Sequence, residues 1–289
     1  MAELTLSSTR LTARLNHHGA ELVSLRTSSG TELIWQANPK IWARHAPVLF
    51  PIVGRLKDDQ LHHHGQSYPL SQHGFARDQE FELIAQDKTA CTFRLRENSE
   101  TLRHFPFAFQ LDIRYRLAHN SLQIGYDITN PADTPLFASI GAHPAFIWPL
   151  TPGTAKENHV IEFSKDEYAP VRRLSGGLLS QNRHPNPVIA RRLSLEDGLF
   201  EQDALIFDQL ASNQVSYYGP GTVRITLHFD DFPQLGIWTK PGADFICIEP
   251  WQGYASPEEF DGEFEDKPGI VTIEPGEQRR WQYTIDVDE

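Results

Sequence analysis

The sequence predicts an all-β fold of antiparallel strands, and three observations support this class. Long runs alternate apolar and polar side chains with a period of two residues, as expected for sheets with one buried face. Helical patterns are few and short, and none has an apolar stripe long enough for an ordinary packed helix. The 20 prolines and 19 glycines punctuate the strands instead of gathering in a linker, so we expect residues 1–289 to form one domain.

The clearest strands are two consecutive runs near the middle of the chain. Apolar side chains alternate with polar ones across Phe109–Leu117 and again across Leu122–Ile128. Residues 119–121 between them have turn character, so the two runs predict one antiparallel hairpin. Similar alternation predicts strands at Leu11–Leu15, Cys91–Leu95, Val223–Phe229 and Trp281–Val287.

Other segments predict short or irregular structure. Ser99–His104, Ser194–Asp197 and Ser256–Glu259 each have the polar composition of a single helical turn, two of them with capping residues. Gly176–Arg192 has no periodic pattern, and we expect a long loop over one end of the sheets. Asp203–Asp208 predicts a short buried strand with an acid at each end.

The composition excludes several classes of partner. A net charge of −12 disfavours nucleic acid and anionic membranes, because both require basic surfaces. No apolar run approaches the roughly 20 residues of a membrane helix, and the first residues do not resemble a signal peptide. The two cysteines, Cys91 and Cys247, alternate with apolar residues and are expected in the core, which suits a reducing compartment. We therefore expect a cytoplasmic protein.

The stretch Cys247–Trp251 (CIEPW) contains the most informative carboxylate. Glu249 follows a strand-like apolar run, and a period of two puts it on the same face as Phe245 and Cys247. Pro250 cannot donate to a sheet ladder, so we expect the strand to end there. A carboxylate on an apolar face is costly unless it is paired or faces a wet pocket. It therefore marks either a functional cleft or a surface position just beyond the strand.

Two isolated histidines are mounted among glycine, proline and phenylalanine. His73 precedes Gly74, which permits tight backbone geometry beside the imidazole. His143 precedes Pro144, which favours an extended backbone and a rigid position for the ring. Each is either a site residue or a hydrogen-bonded structural histidine. Two imidazoles and a carboxylate, without an evident nucleophile, suit proton transfer between oxygens of a neutral substrate.

Further candidates would bind the substrate. Arg55 ends an apolar run, and Arg77 is either a substrate ligand or an ion-pair partner of a neighbouring acid. Phe75 provides a flat apolar wall, and Trp238 is a candidate platform for the C–H face of a sugar, although core packing is the alternative.

The tract His62-His63-His64 suggests a metal site at first sight. Neighbouring residues of a strand point to opposite faces, so we expect a solvated hairpin tip and no bound metal. The sequence also lacks HExxH, paired-cysteine and EF-hand patterns, a glycine-rich phosphate loop and a GxSxG elbow.

These fragments together resemble the aldose 1-epimerase (galactose mutarotase-like) superfamily, and within it the LacX-type branch. The similarity rests on the order of Gly19–Leu22, Glu32–Trp35, Leu49–Arg55, His73–Asp78, His143-Pro144 and Glu249–Trp251. The resemblance implies a large antiparallel β-supersandwich with a few short helices and a cleft on one sheet. It also implies a sugar substrate and neither cofactor nor metal.

The resemblance further implies a role for each site residue. The family's acid corresponds to His143, its base to Glu249, and the histidine that holds the sugar to His73. Its substrate-binding arginine corresponds to Arg55. The family also uses an aspartate, for which Asp203 is the match and Asp208 the other choice.

Alternative functions remain open from the sequence. A non-catalytic sugar-binding protein would share the aromatic and arginine contacts, and a glycosidic-bond hydrolase or lyase would pair Glu249 with Asp203. A metal-dependent, cupin-like isomerase would require the histidines to converge on an ion. The acidity of the chain favours a neutral aldose over a sugar phosphate.

Overall fold

The computed structural model describes residues 3–289 and confirms the all-β expectation. Within this range the chain forms 24 strands and six short 3₁₀-helical turns. The strands are β1 Glu3–Ser7, β2 Leu11–Asn16, β3 Leu22–Thr27, β4 Val48–Leu49, β5 Gln60–His63, β6 Gln66–Pro69, β7 Glu82–Gln86, β8 Ala90–Arg96, β9 Gln110–Ala118, β10 Ser121–Thr129, β11 Leu136–Ala138, β12 Ile140–Ala142, β13 Ala145–Ile147, β14 Val160–Phe163, β15 Val171–Ser175, β16 Leu178–His184, β17 Arg192–Ser194, β18 Leu205–Phe207, β19 Gln214–Tyr218, β20 Arg224–His228, β21 Gln234–Trp238, β22 Phe245–Gln252, β23 Val271–Ile273 and β24 Gln278–Asp288. The helical turns are Lys57–Asp59, Ala76–Asp78, Thr101–Arg103, Lys156–Asn158, Asp197–Phe200 and Phe264–Asp266. In the described part of the chain, no helix has the length and apolarity needed to span a bilayer.

Two large antiparallel sheets contain most of the strands. The nine-stranded sheet has the order β17-β14-β19-β20-β24-β10-β9-β8-β7. The eight-stranded sheet has the order β16-β15-β18-β21-β22-β12-β4, with β13 also paired to β22. Three small sheets, β1-β2-β3, β5-β6 and β11-β23, complete the fold.

The main core lies between the inner faces of the two large sheets. Leu111, Ile124 and Tyr283 of the nine-stranded sheet belong to the same buried cluster as Leu235 and Ile246 of the eight-stranded sheet. Each strand contributes alternate side chains to this cluster, so its other side chains face outward. The outer faces of the two large sheets therefore need not be apolar, and their side chains can differ between the sheets.

The outer face of the nine-stranded sheet is polar and carries cross-strand ion pairs. Arg94 donates two hydrogen bonds of 2.6 Å to Asp112 on the next strand. Asp127 accepts from Arg114 at 2.9 Å and from Arg280 at 2.8 Å. Asp112 and Asp127 are both buried, so the arginines provide partners for carboxylates that have lost most of their contact with water.

The alternating runs form strands as predicted. The two central runs fold as the β9–β10 hairpin, with Leu122 opposite Leu117. The other four runs lie within β2, β8, β20 and β24. The cysteines Cys91 and Cys247 are buried and unpaired with each other.

The predicted end of the late strand at Pro250 is wrong, because β22 continues to Gln252. Pro250 lies opposite Leu235 of β21. On the other edge, β13 pairs with β22 up to Cys247, and β12 resumes pairing only at Trp251. Pro250 falls in this break, where no ladder hydrogen bond requires its missing N–H.

Three other local expectations are wrong. Much of Gly176–Arg192 is strand β16, which is an edge strand with few buried side chains and therefore shows no periodicity. Ser194 belongs to β17, and the helical turn starts later, at Asp197, without a side-chain cap. The segment Ser256–Glu259 forms no helix. The single turn expected within Ser99–His104 is present.

The backbone beside His73 depends on a glycine. Gly74 has φ +68°, and a Cβ at this position would collide with the backbone of Phe50. We expect Gly74→Ala to lower the unfolding free energy by more than the roughly 1–2 kcal/mol of a left-handed non-glycine residue. Urea unfolding measures this change. Gly30→Ala is the matched control, because Gly30 has φ +91° but open space around its Cβ position. Equal losses in the two variants would contradict the role of the collision.

Candidate active site

A cleft of about 320 Å³ lies on the outer face of the eight-stranded sheet. It brings together His73, His143 and Glu249, which are far apart in sequence. The full lining comprises Trp42, Gly54, Gln72, His73, Arg77, His143, Leu174, Asp203, Ala204, Ile206, Trp238, Glu249, Trp251 and Ala255. The cleft therefore has the size and mixed lining of a small-molecule site.

Glu249 lies on the floor of the cleft, near the middle of β22. As predicted, it shares a face with Phe245 and Cys247, which form a cluster separate from the main core. Only 1% of Glu249 is exposed. Directly across from it on β21 is Gly236, whose missing side chain leaves room for the indole of Trp251. The strand thus holds a carboxylate inside an aromatic and apolar wall.

His143 is held beside Glu249 in the short connection between β12 and β13. The N–H of Ile248 donates to the carbonyl of Pro144 at 3.3 Å, which ties this connection to β22. Nε2 of His143 lies 3.2 Å from Oε2 of Glu249. The indole of Trp42 stacks on the imidazole with ring centroids 5.1 Å apart. Nδ1 of His143 and Oε2 of Glu249 are both buried, and neither makes a well-aligned hydrogen bond with the described residues.

Burial controls the protonation of this pair. Desolvation raises the pKa of Glu249 well above its ordinary value, and the nearby indole N–H of Trp251 opposes this only in part. Desolvation, followed by the positive charge of Arg77, lowers the pKa of His143 to about 3. Loss of hydration therefore outweighs any attraction of the neighbouring carboxylate for a protonated imidazole. Both shifts favour a neutral pair that shares one proton.

His73 is fixed by two reciprocal hydrogen bonds with Gly54. The N–H of His73 donates to the carbonyl of Gly54 at 2.8 Å, and the N–H of Gly54 donates to Nδ1 of His73 at 3.1 Å. Burial lowers the pKa of His73 well below its ordinary value. A neutral ring that accepts at Nδ1 carries its proton on Nε2. His73 therefore supplies a hydrogen-bond donor at Nε2. The centroid of its ring lies 5.7 Å from the ring centroid of His143.

Arg77 and Asp203 add opposite charges to the cleft. Arg77 donates to the carbonyl of Gln72 at 2.7 Å, and its Nε lies 3.7 Å from a carboxylate oxygen of Asp78. Burial lowers the pKa of Arg77 to about 10, so it remains charged at neutral pH. Asp203 is exposed, and its Oδ1 accepts from the N–H of Ala204 at 2.7 Å.

The structure separates the two candidate aspartates. Asp203 lines the cleft, whereas Asp208 does not. Asp208 is mostly buried and accepts a 3.1 Å hydrogen bond from Arg172. Of the two, Asp203 is therefore the one within reach of a ligand.

Two predicted substrate-binding residues lie outside the cleft lining. The guanidinium of Arg55 donates through Nε and Nη2 to both carboxylate oxygens of Asp59. Phe75 packs against Phe50 and Phe109 in the main core. In both cases the side chain contacts residues that do not line the cleft. Trp238, by contrast, lines the cleft as expected.

Trp42 lines the cleft but was not predicted from the sequence. It belongs to an irregular segment, and its carbonyl accepts a 2.9 Å hydrogen bond from the indole of Trp35. Its ring stacks on His143 and meets Trp238 edge to face. The sequence signal for Trp42 was a large aromatic residue in a polar loop without periodicity, which is typical of a ligand-contacting position.

A metal is a poor fit to the floor of the cleft. Ligand atoms of His143, Cys247 and Glu249 lie within 4.8 Å of one another. Burial, with a smaller contribution from Glu249, raises the pKa of the Cys247 thiol well above its ordinary value. A cysteine binds zinc as the thiolate, so a cysteine that resists deprotonation is unfavourable as a ligand. The arrangement suits proton transfer better than coordination.

The fold and the cleft define an aldose epimerase-like protein, and comparison with known proteins identifies the family. The model of the aldose 1-epimerase family matches residues 2–286, so the chain belongs to this family. Within it, the chain is similar to the chromosomally encoded protein LacX of Lactococcus lactis subsp. lactis. The two are 33% identical over 297 residues, which cover 98% of this chain and 99% of that protein.

Solved structures agree with this assignment. A galactose mutarotase related enzyme from Lactobacillus acidophilus superposes with a TM-score of 0.95 at 34% identity, covering 100% of this chain and 98% of that one. A galactose mutarotase-like protein from Lactobacillus casei ATCC 334 has a TM-score of 0.92 at 28% identity, covering 99% and 100%. The expected fold and LacX-type resemblance are confirmed.

The buried carboxylate makes stability depend on pH in a defined direction. Unfolded Glu249 ionises near its ordinary pKa of 4.5, but the folded protein retains the proton to higher pH. Above pH 4.5, Glu249 therefore binds more protons in the folded than in the unfolded state, so the contribution of this group to the unfolding free energy falls as pH rises. Glutamine carries no such charge. We expect the stability of Glu249→Gln relative to wild type to increase by up to about 1 kcal/mol per pH unit within this window.

Urea unfolding from about pH 5 to about pH 9 measures this difference. Glu201→Gln, at an exposed carboxylate, controls for the change in net charge. Parallel curves for wild type and Glu249→Gln would show that burial does not raise the pKa of this group.

Proposed function

We propose that this protein is a cofactor-independent aldose 1-epimerase, or mutarotase, that interconverts the α and β anomers of a sugar. The observation that carries the proposal is the 3.2 Å contact between His143 and Glu249 at the floor of a sugar-sized cleft. Membership of the aldose 1-epimerase family supports the same reaction class.

The reaction requires one acid and one base close together. In the reactive form of the pair, the shared proton lies on His143. Ionised Glu249 takes the proton from the anomeric hydroxyl, protonated His143 donates a proton to the ring oxygen, and the C1–ring oxygen bond breaks, which leaves the pair in the neutral form that burial favours. The C1–C2 bond of the open-chain aldehyde then rotates. Ring closure on the other face of the carbonyl gives the second anomer, with the proton transfers reversed. The anomeric hydroxyl oxygen and the ring oxygen are both bonded to C1, so an acid and a base that lie side by side can reach both oxygens.

The shared proton of the pair fits this scheme in both directions. The reaction moves a proton onto one oxygen and removes a proton from the other, so a pair with one proton needs no exchange with solvent. The neutral N–H of His73 would hold the ring-oxygen side of the sugar. Asp203 and Arg77 would bind its hydroxyls, while Trp238 and Trp42 would contact its C–H face. Positioned groups of this kind lower the barrier by fixing the reacting geometry.

A neutral aldose is the substrate that we propose. Arg77 is the one lysine or arginine among the described residues that line the cleft, and it already binds a backbone carbonyl. Asp203 would repel an anionic substrate. The two buried free thiols support a cytoplasmic location, since cysteines stay reduced there.

Removing either member of the pair should stop efficient catalysis. We expect Glu249→Gln and His143→Asn each to lower kcat/KM for anomer exchange by about 10²-fold or more, because positioned acids and bases contribute this much. Polarimetry with a freshly dissolved single anomer measures the rate. His119→Asn is the matched control, since His119 is exposed and has a left-handed backbone that asparagine tolerates.

Two outcomes would support other functions. Sugar binding with no acceleration by the wild type would indicate a non-catalytic binding protein on this fold. Release of reducing ends from glycosides, lost in Glu249→Gln and Asp203→Asn, would indicate a hydrolase.

The charge of the cleft predicts the substrate class. We expect a higher kcat/KM for free hexoses than for hexose 6-phosphates, and the ratio of the two should change little in Arg77→Gln. Exchange spectroscopy by NMR measures both rates under the same conditions. A preference for the phosphate that disappears in Arg77→Gln would show instead that Arg77 binds a phosphate group.

A further inference from the structure

The tract His62-His63-His64 forms the tip of the β5–β6 hairpin, and its geometry differs from the expected one. His64 and Gly65 are the two loop residues between His63 and Gln66, with φ +50° and +72°. Two positive φ values in a two-residue loop are typical of a type I′ turn. The turn interrupts the alternation of the strand. The rings of His63 and His64 consequently lie edge to face, with centroids 4.1 Å apart.

A carboxylate from a distant part of the chain meets these rings. Glu265, in the helical turn Phe264–Asp266, places Oε2 3.6 Å from Nδ1 of His63. One ligand atom from each of His63, His64 and Glu265 lies within 4.8 Å of the other two. Nδ1 of His63 is buried and has no hydrogen-bond partner among the described residues. The expectation that neighbouring imidazoles of the tract diverge is therefore wrong for His63 and His64. The exposure of His64 agrees with the expected solvated tip.

A second carboxylate is held against the same hairpin tip. Oε1 of Glu263 accepts from the N–H of Gly65 at 3.4 Å. Oε2 of Glu263 is buried and has no hydrogen-bond partner among residues 3–289. Two imidazoles and the carboxylate of Glu265 therefore form one cluster, and the carboxylate of Glu263 is held against the same hairpin tip. One possible ligand atom in the cluster, Nδ1 of His63, and one beside it, Oε2 of Glu263, are unsatisfied.

We propose that His63, His64 and Glu265 bind a divalent transition-metal ion of the zinc class, with Glu263 as the fourth ligand. Zinc takes four imidazole and carboxylate ligands at roughly 2.0–2.2 Å in tetrahedral geometry. The imidazoles favour zinc, copper or nickel over magnesium and calcium. The two carboxylates neutralise the charge of the ion. His64 and Glu265 are exposed, so small rotations of their side chains suffice to close the ligand shell.

The ion would act as a clip and not as a catalyst. It would join the β5–β6 hairpin to the helical turn Phe264–Asp266. The hairpin lies between Gly54 and His73 in sequence, and the turn follows Trp251. All three of these flanking residues line the cleft. Binding to the folded state alone stabilises it, so the ion would hold together two segments that border the site. The clip is independent of the proposed mutarotase activity.

Cobalt and zinc titrations of protein without a histidine tag test the proposal. Co²⁺ reports tetrahedral coordination through its visible absorption, and Zn²⁺ should raise the midpoint of thermal unfolding. We expect one equivalent to bind to the wild type. His64→Asn, which preserves the left-handed turn, and Glu265→Gln should each weaken binding by about tenfold or more, since even outer-shell losses cost 10–100-fold.

His62→Asn is the matched control within the same tract. Its Nδ1 contacts Oγ of Ser67 at 2.9 Å, outside the cluster, so this variant should bind the ion as the wild type does. Equal binding by wild type and His64→Asn would overturn the proposal. Binding that persists in His64→Asn but disappears in His143→Asn would also overturn it, because the ion would then lie in the cleft.

Discussion

The site depends on two properties of Glu249 and His143: both side chains are buried away from water, and they contact each other. A buried carboxylate and a buried imidazole both resist charge, so the pair is held as a neutral unit with one proton. Such a pair costs stability, which the large apolar core between the sheets must offset. In return, each group has a neighbour for proton transfer, because Nε2 of His143 lies 3.2 Å from Oε2 of Glu249.

The sheet geometry makes this burial possible. On β22, Ile246 and Ile248 enter the main core, while Phe245 and Cys247 pack in a second buried cluster on the opposite face and Glu249 lines the cleft. The connection between β12 and β13 leaves a break beside the strand, and His143 occupies it. Aromatic rings of Trp42 and Trp238 close the space around the imidazole. The same strand thus serves as a core element and as the floor of the site.

The sequence predicted the components of the site better than their contacts. Glu249 and the two histidines stood out because polar side chains among apolar, glycine or proline neighbours need a specific environment. Arg55 stood out equally, yet its guanidinium is bound to Asp59. Trp42 was overlooked because an irregular loop has no period from which to infer a face. A side chain at the end of a strand or in a loop can reach several partners, and local pattern does not choose among them.

The sequence by itself determined the all-β class, the central hairpin and the face of β22 that carries Glu249, because a period of two depends only on neighbouring residues. Tertiary structure alone decided which polar groups meet. The 3.2 Å contact of Glu249 with His143, the lowered pKa of that histidine and the meeting of His63 and His64 with Glu265 arise from segments far apart along the chain. Their distances and desolvation follow from packing, which no local pattern encodes.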